Sequence, residues 1–134
     1  MKKVCFIIIS LMLLVSCKED TYDHDYNYFF VVSNDCDEQI DVSVTYPSDV
    51  IQSFQISPGS KQTFHYEACI EPSNIEKIDQ MFKIIEVRKG DVFSKKDYTN
   101  HEYWEKVEIK EGIDNYWNRW IRVDYYLHIR SEDF

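Results

Sequence analysis

From Tyr28 to the end of the chain, apolar side chains recur mostly at every second position, the spacing of strands with one face buried. Tyr28-Phe29-Phe30-Val31-Val32 is a continuous apolar run, expected to form a strand buried on both faces, and Asn34-Asp35-Cys36-Asp37 ends it. Ile40, Val42, Val44 and Tyr46 alternate with Gln39, Asp41, Ser43 and Thr45, the cleanest alternation of the first half. Tyr46-Pro47-Ser48-Asp49 turns the chain. Ile51 to Ile56 is a shorter strand. In Ser57-Pro58-Gly59-Ser60 the proline and glycine hold the two central positions of a type II turn. Lys61 to Glu67 alternates again, which puts Phe64 and Tyr66 on one face.

The period changes after Cys69. Ser73 and Glu76 have capping-box spacing, and Ile75, Ile78 and Phe82 follow at helical intervals, so a short amphipathic helix is predicted over Asn74 to Met81. Phe82 to Arg88 returns to strand and Lys89-Gly90-Asp91 turns it, leaving Val92 to Tyr103 as loop. Trp104 to Lys110 reads as strand through Val107 and Ile109, although Glu102, Glu105, Glu108 and Glu111 recur at every third residue, as on a solvated face. Glu111-Gly112-Ile113-Asp114-Asn115 breaks the chain. The last segment carries the strongest pattern: Ile121, Val123, Tyr125, Leu127 and Ile129 alternate with Arg122, Asp124, Tyr126, His128 and Arg130. Five apolar positions, each contributing ~1.5–3 kcal/mol when buried, can anchor a core.

Seven strands with closely spaced turns and one short helix predict an all-β fold, an antiparallel β-sandwich of immunoglobulin-like or other Greek-key topology. The pattern fits a single domain over residues 28–134.

The first residues follow other rules. Met1-Lys2-Lys3 is a short basic start, and Val4 to Val15 is apolar except for Ser10. Those twelve residues make about 18 Å of helix, too short for a hydrocarbon layer of roughly 30 Å. An export signal over residues 1–16 is therefore expected rather than a membrane span. Leu14-Val15-Ser16-Cys17 resembles the lipobox of bacterial lipoproteins. The resemblance implies diacylglyceryl transfer to the Cys17 sulfur, cleavage before Cys17 and acylation of the new amine. Ordinary cleavage with a free Cys17 thiol is the alternative. Lys18-Glu19-Asp20 resembles the surface-export signal of Bacteroidota lipoproteins, which implies the outer face of the outer membrane; the periplasmic face remains the other location. Residues 17–27 then form the lipidated cysteine and an acidic tether. The strand pattern is similar to that of small β-sandwich surface lipoproteins of Bacteroidota, a resemblance that brings no catalytic motif and no ligand.

Charge narrows the partners. The 134-residue chain has a formal charge of −9, and loss of Lys2 and Lys3 with the signal takes it to −11 over the remaining 118 residues. No basic face is then expected to displace counterions from a nucleic acid, nor a second, electrostatic attachment to anionic lipid. Of four cysteines, Cys5 leaves with the signal and Cys17 carries lipid, so Cys36 and Cys69 remain to form a disulfide or two buried thiols. A bond closing that 34-residue loop contributes ~3–4 kcal/mol in the chain-entropy model, and the polar, turn-like surroundings of both favour it.

Chemistry-bearing motifs are sparse. Gly59, Gly90 and Gly112 are too far apart to cradle phosphate, and no serine sits in a Gly-x-Ser-x-Gly elbow. His65 and Cys69 share a strand face but stand about 13 Å apart, too far for a nucleophilic pair. Asp23, Asp25 and Asn27 open like a calcium loop, yet Tyr28 and Asn34 replace the required glycine and acid. His24, His65, His101 and His128 lack zinc spacing, so neither a metal nor another cofactor is expected. One surface stands out. Tyr116, Trp117 and Trp120 precede the last strand, and Trp120, Tyr126 and His128 share its non-core parity. Flat amphipathic aromatics suit a glycan- or protein-binding face, though rings of this size also serve simply to pack. The sequence thus predicts a non-catalytic, lipid-anchored envelope module with a ligand face at Trp117, Trp120, Tyr126 and His128. An inhibitor or immunity-type lipoprotein acting through its acidic surface is the second reading, and a hydrolase with dispersed carboxylates the third.

Overall fold

The computed structural model describes residues 24–69, 78–113 and 119–134. Among them eight strands form two four-stranded sheets. They are β1 (His24–Asn34), β2 (Ile40–Thr45), β3 (Ile51–Ile56), β4 (Lys61–Cys69), β5 (Ile84–Lys89), β6 (Val92–Phe93), β7 (Trp104–Ile113) and β8 (Arg119–Ile129). Sheet 1 has the order β4-β1-β8-β7 and sheet 2 the order β3-β2-β5-β6. The lipobox, Asp23, Ser73 to Glu76, Tyr116 and Trp117 lie outside the described residues. Among the described residues no helix is long and apolar enough to cross a membrane.

The alternating segments become strands because each buries one face against the other sheet. From sheet 1 the core takes Tyr28, Phe30, Val32, Phe64, Trp104, Val123, Tyr125, Leu127 and Ile129; from sheet 2, Ile40, Val42, Val44, Ile56, Ile85 and Val87. These form one cluster, which makes the molecule an all-β sandwich. Phe82 is its hub. It follows the helical turn Ile78–Met81 and lies in ring contact with Phe30, Tyr46, Phe64, His65 and Trp104. The turn at Pro58-Gly59 is as predicted, with Gly59 at φ +68° and Ser60 N–H donating to the Ser57 carbonyl over 3.1 Å. Asn34, fully buried, fastens this end: its Nδ2 donates to the carbonyls of Glu38 and Ile56, and its Oδ1 accepts from Cys36 N–H.

Five expectations are corrected. There are eight described strands rather than seven, because Val92–Phe93 folds back on Arg88 and Lys89; two residues are too few to show a period. β1 starts at His24, four residues before the expected start at Tyr28, because its polar beginning pairs with β8 from His24 and with β4 from Tyr26. The sandwich is antiparallel except at its centre, where β1 and β8 run parallel through eleven paired residues. With four strands in each sheet, and the first and last side by side, the division is not the four-plus-three of an immunoglobulin constant-type domain. Cys36 and Cys69 are free thiols, not a disulfide. Cys69 lies opposite Tyr26 near one end of β1 and Cys36 just past its other end, so roughly 26 Å of strand separates them, against the ~7 Å limit for a bridge.

Candidate ligand-binding face

The outer face of sheet 1 is set by strand parity. With Tyr28, Phe30 and Val32 of β1 and Val123, Tyr125 and Leu127 of β8 turned to the core, Phe29, Trp120, Arg122, Asp124, Tyr126 and His128 point the other way. Trp120, Tyr126 and His128 are each partly exposed on this face, as the sequence suggested, and Trp117 lies outside the described residues. Trp120 and Tyr126 stand six residues apart on one strand, about 20 Å. They mark the two ends of the face.

Trp120 sits directly opposite Gly112 on β7, and its ring covers that glycine so closely that a Cβ there would meet ring atoms at 2.5 Å. Glycine thus serves close approach rather than a chain break, and β7 runs on to Ile113. At the other end Tyr126 and His128 stack at 6.0 Å, and Lys61 Nζ stands 5.1 Å from the Tyr126 centroid. His128 bridges two carboxylates, with Nδ1 at 2.9 Å from Asp35 and Nε2 at 3.1 Å from Glu105. Burial works against the charged Asp35 carboxylate, but hydrogen bonds from Ser33 and His128 outweigh it and hold its pKa below the usual value. Beyond His128 the surface falls into a cleft of about 300 Å³ bounded by Lys96, Tyr103, Glu105 and Arg130.

Between these ends lies a group that sequence reasoning missed. The Arg122 guanidinium rests 4.3 Å from the Phe29 centroid and binds both oxygens of Asp124, at 3.0 and 3.2 Å. Asp124 is only 2% exposed and also accepts from the Tyr126 hydroxyl. Burial first, and then the Asp124 charge, push the Tyr126 pKa up, so this phenol remains a neutral hydrogen-bond donor. Phe29 meets Tyr66 at 5.0 Å, and the Tyr66 hydroxyl donates to Asn27 Oδ1 over 2.7 Å. Tyr66 is 52% exposed.

Tyr66 reaches this face through a β-bulge, which corrects its expected pairing with Phe64. The register of β4 shifts between Phe30 and Val31, so that Phe64 and His65 both turn inward while Tyr66 and Thr63 align with outer positions of β1. Only Arg122, Asp124 and Tyr126, at the parity of Trp120, could have been read from sequence as its neighbours. Asp25 and Asn27, weighed as calcium ligands, are paired strand residues, and among the described residues no group of three or more His, Cys, Asp or Glu is placed to hold a metal. His65 is packed among Phe30, Tyr46 and Phe82.

The result is a polar–aromatic ribbon along the two central strands of sheet 1. Arg122 and Asp124 are paired and the Phe29, Tyr66 and Tyr126 rings are held by neighbouring side chains, so the ribbon can take flat or amphipathic groups with little loss of side-chain freedom. Comparison of the chain with protein-family models, with curated proteins and with solved structures gives no match in any of the three.

Proposed function

We propose that this chain is a non-catalytic binding module of the cell envelope, held by lipid on Cys17, that meets a glycan or protein ligand on the outer face of sheet 1. The observation that carries the reading is the preset array of Phe29, Tyr66, Trp120 and Tyr126 around the Arg122–Asp124 pair. Such a surface combines apolar area with oriented donors, the requirement for holding sugars or peptide side chains. The anchor rests on the lipobox resemblance. With β1 beginning at His24, six residues separate it from Cys17 and span at most about 21 Å, which keeps the Trp120 end nearest the membrane.

The test is tryptophan fluorescence titrated with oligosaccharides of the cell's own envelope and with peptides. Saturable quenching that is lost in Tyr66→Ala and Trp120→Ala, with the melting temperature of Tyr66→Ala unchanged, supports the reading. Saturable quenching that survives both substitutions removes it. Labelled palmitate incorporated at Cys17 and abolished in Cys17→Ala tests the anchor separately. A second reading is favoured by the formal charge of −9: an inhibitor or immunity-type lipoprotein would capture a basic protein with affinity falling steeply as salt rises.

A further inference from the structure

The opposite side of the sandwich carries a second built surface. On the outer face of sheet 2, cross-strand pairing aligns Gln55, Asp41, Arg88 and Phe93 in one row, one residue from each of the four strands. Two residues along, Ser53, Ser43 and Glu86 form the next row. Asp41 organises the first: its Oδ1 accepts from Gln55 Nε2 over 2.7 Å and its Oδ2 from Arg88 Nη2 over 2.8 Å. These bonds, Arg88 foremost, lower the Asp41 pKa, so the carboxylate is charged at neutral pH. Ser53 Oγ donates to Ser43 Oγ at 3.3 Å. Because Arg88 turns towards Asp41, the ring of its cross-strand neighbour Phe93 is left 56% exposed. Small serines in one row beside longer side chains in the other leave a cleft of about 340 Å³ over the strands at Val42 and Phe54, whose side chains turn to the core.

We infer that this cleft is a binding site for a neutral sugar ring, which stacks on Phe93 while its hydroxyls bridge Asp41, Arg88 and the serine pair. The occupant follows from the complement of groups. An anion would meet Asp41 and Glu86, and a cation would compete with Arg88, already engaged by Asp41. An apolar segment would leave this polar row desolvated and unpaired. A ring with vicinal hydroxyls offers donors and acceptors together above an apolar face, matching the carboxylate lone pairs and the serine hydroxyls. The volume lies in the range of small-molecule sites. This site is independent of the sheet 1 face, on the other side of the core.

The experiment is ligand-observed NMR of the full chain with glucose, galactose, mannose and N-acetylglucosamine as probes, each titrated into the millimolar range. Saturation transfer to at least one of them is expected. In the Tyr66→Ala background, which removes the contribution of the opposite face, the transfer should persist, and adding Phe93→Ala or Asp41→Asn should lower it at least tenfold. Phe93 is exposed enough that its variant should fold, and an unchanged melting temperature verifies this. Silence from all four sugars overturns the proposal, as does a Tyr66→Ala protein that gives no transfer or one whose transfer survives the addition of Phe93→Ala. Sugar silence accompanied by concentration-dependent dimerisation that Phe93→Ala abolishes would assign the face to a second copy of the chain instead.

Discussion

Single atoms decide two of the consequences most open to test. The Tyr125 hydroxyl is buried in the core without a hydrogen-bond partner among the described residues, and burial pushes its pKa up to about 12. A hydroxyl in that position costs desolvation and recovers nothing, so Tyr125→Phe should be neutral or stabilise the fold by up to about 1 kcal/mol, read from the urea midpoint. A loss of more than that would mean the hydroxyl is bonded after all. At Gly112 one added carbon collides with the Trp120 ring. Gly112→Ala should destabilise by about 1–3 kcal/mol and shift the tryptophan emission, since the ring must move to make room. Phe82→Ala, which removes the hub shared by five rings, should cost about 3–5 kcal/mol.

At the scale of elements, the bulge in β4 shows how one residue redirects a strand. Strict alternation would send Phe64 and Tyr66 to the same side; the shift beside Phe30 buries Phe64 and releases Tyr66 to the outer face. The same device recurs on β7, where the register slips between Glu108 and Lys110. Both bulged strands are sheet edges, where a break in regular pairing discourages edge-to-edge association. Strand arrangement also decides the thiols. Because Cys36 and Cys69 lie beside opposite ends of β1, reducing agent should leave the melting temperature unchanged, and peptide mapping should find no linked Cys36–Cys69 pair. A linked pair, or a melting temperature that falls on reduction, would contradict the arrangement.

Across the whole molecule the titratable groups set a stability plateau. Burial lowers the His65 pKa below 6.5, so the unfolded chain binds its proton first, and stability should decline as pH falls from about 6.5 towards the lowered folded value. Asp35 and Asp41 have lowered pKa values; their contribution is complete above the ordinary 3.8 and is lost as pH drops through their folded values. On the alkaline side Tyr98 and Tyr125 are both raised from 10.0 to about 12, mainly by burial, so the unfolded chain ionises first and stability should fall from pH 10 upward. Urea midpoints should be flat from about pH 6.5 to 9, above which the Cys36 and Cys69 thiols, raised from 9.0 mainly by burial, ionise first in the unfolded chain, and His65→Phe should flatten the first acid slope. Late-titrating tyrosines that ionise together with unfolding, followed by ultraviolet absorbance, provide an independent check.

Alternation and turn chemistry are local properties, so the β class, six of the eight described strands to within two or three residues, the turn at Pro58-Gly59 and the inward parity of Val123, Tyr125, Leu127 and Ile129 were legible in the amino acids alone. Alternation also set Trp120, Tyr126 and His128 on a common outer parity. It took the folded chain to set β1 and β8 side by side and parallel, to hold Cys36 and Cys69 far apart, and to bring Phe29 and Tyr66 to the aromatic ribbon. Those outcomes depend on which strand meets which and in what register. Alternation within a strand fixes which side chains turn together, but burial against the rest of the chain chooses the neighbours they meet.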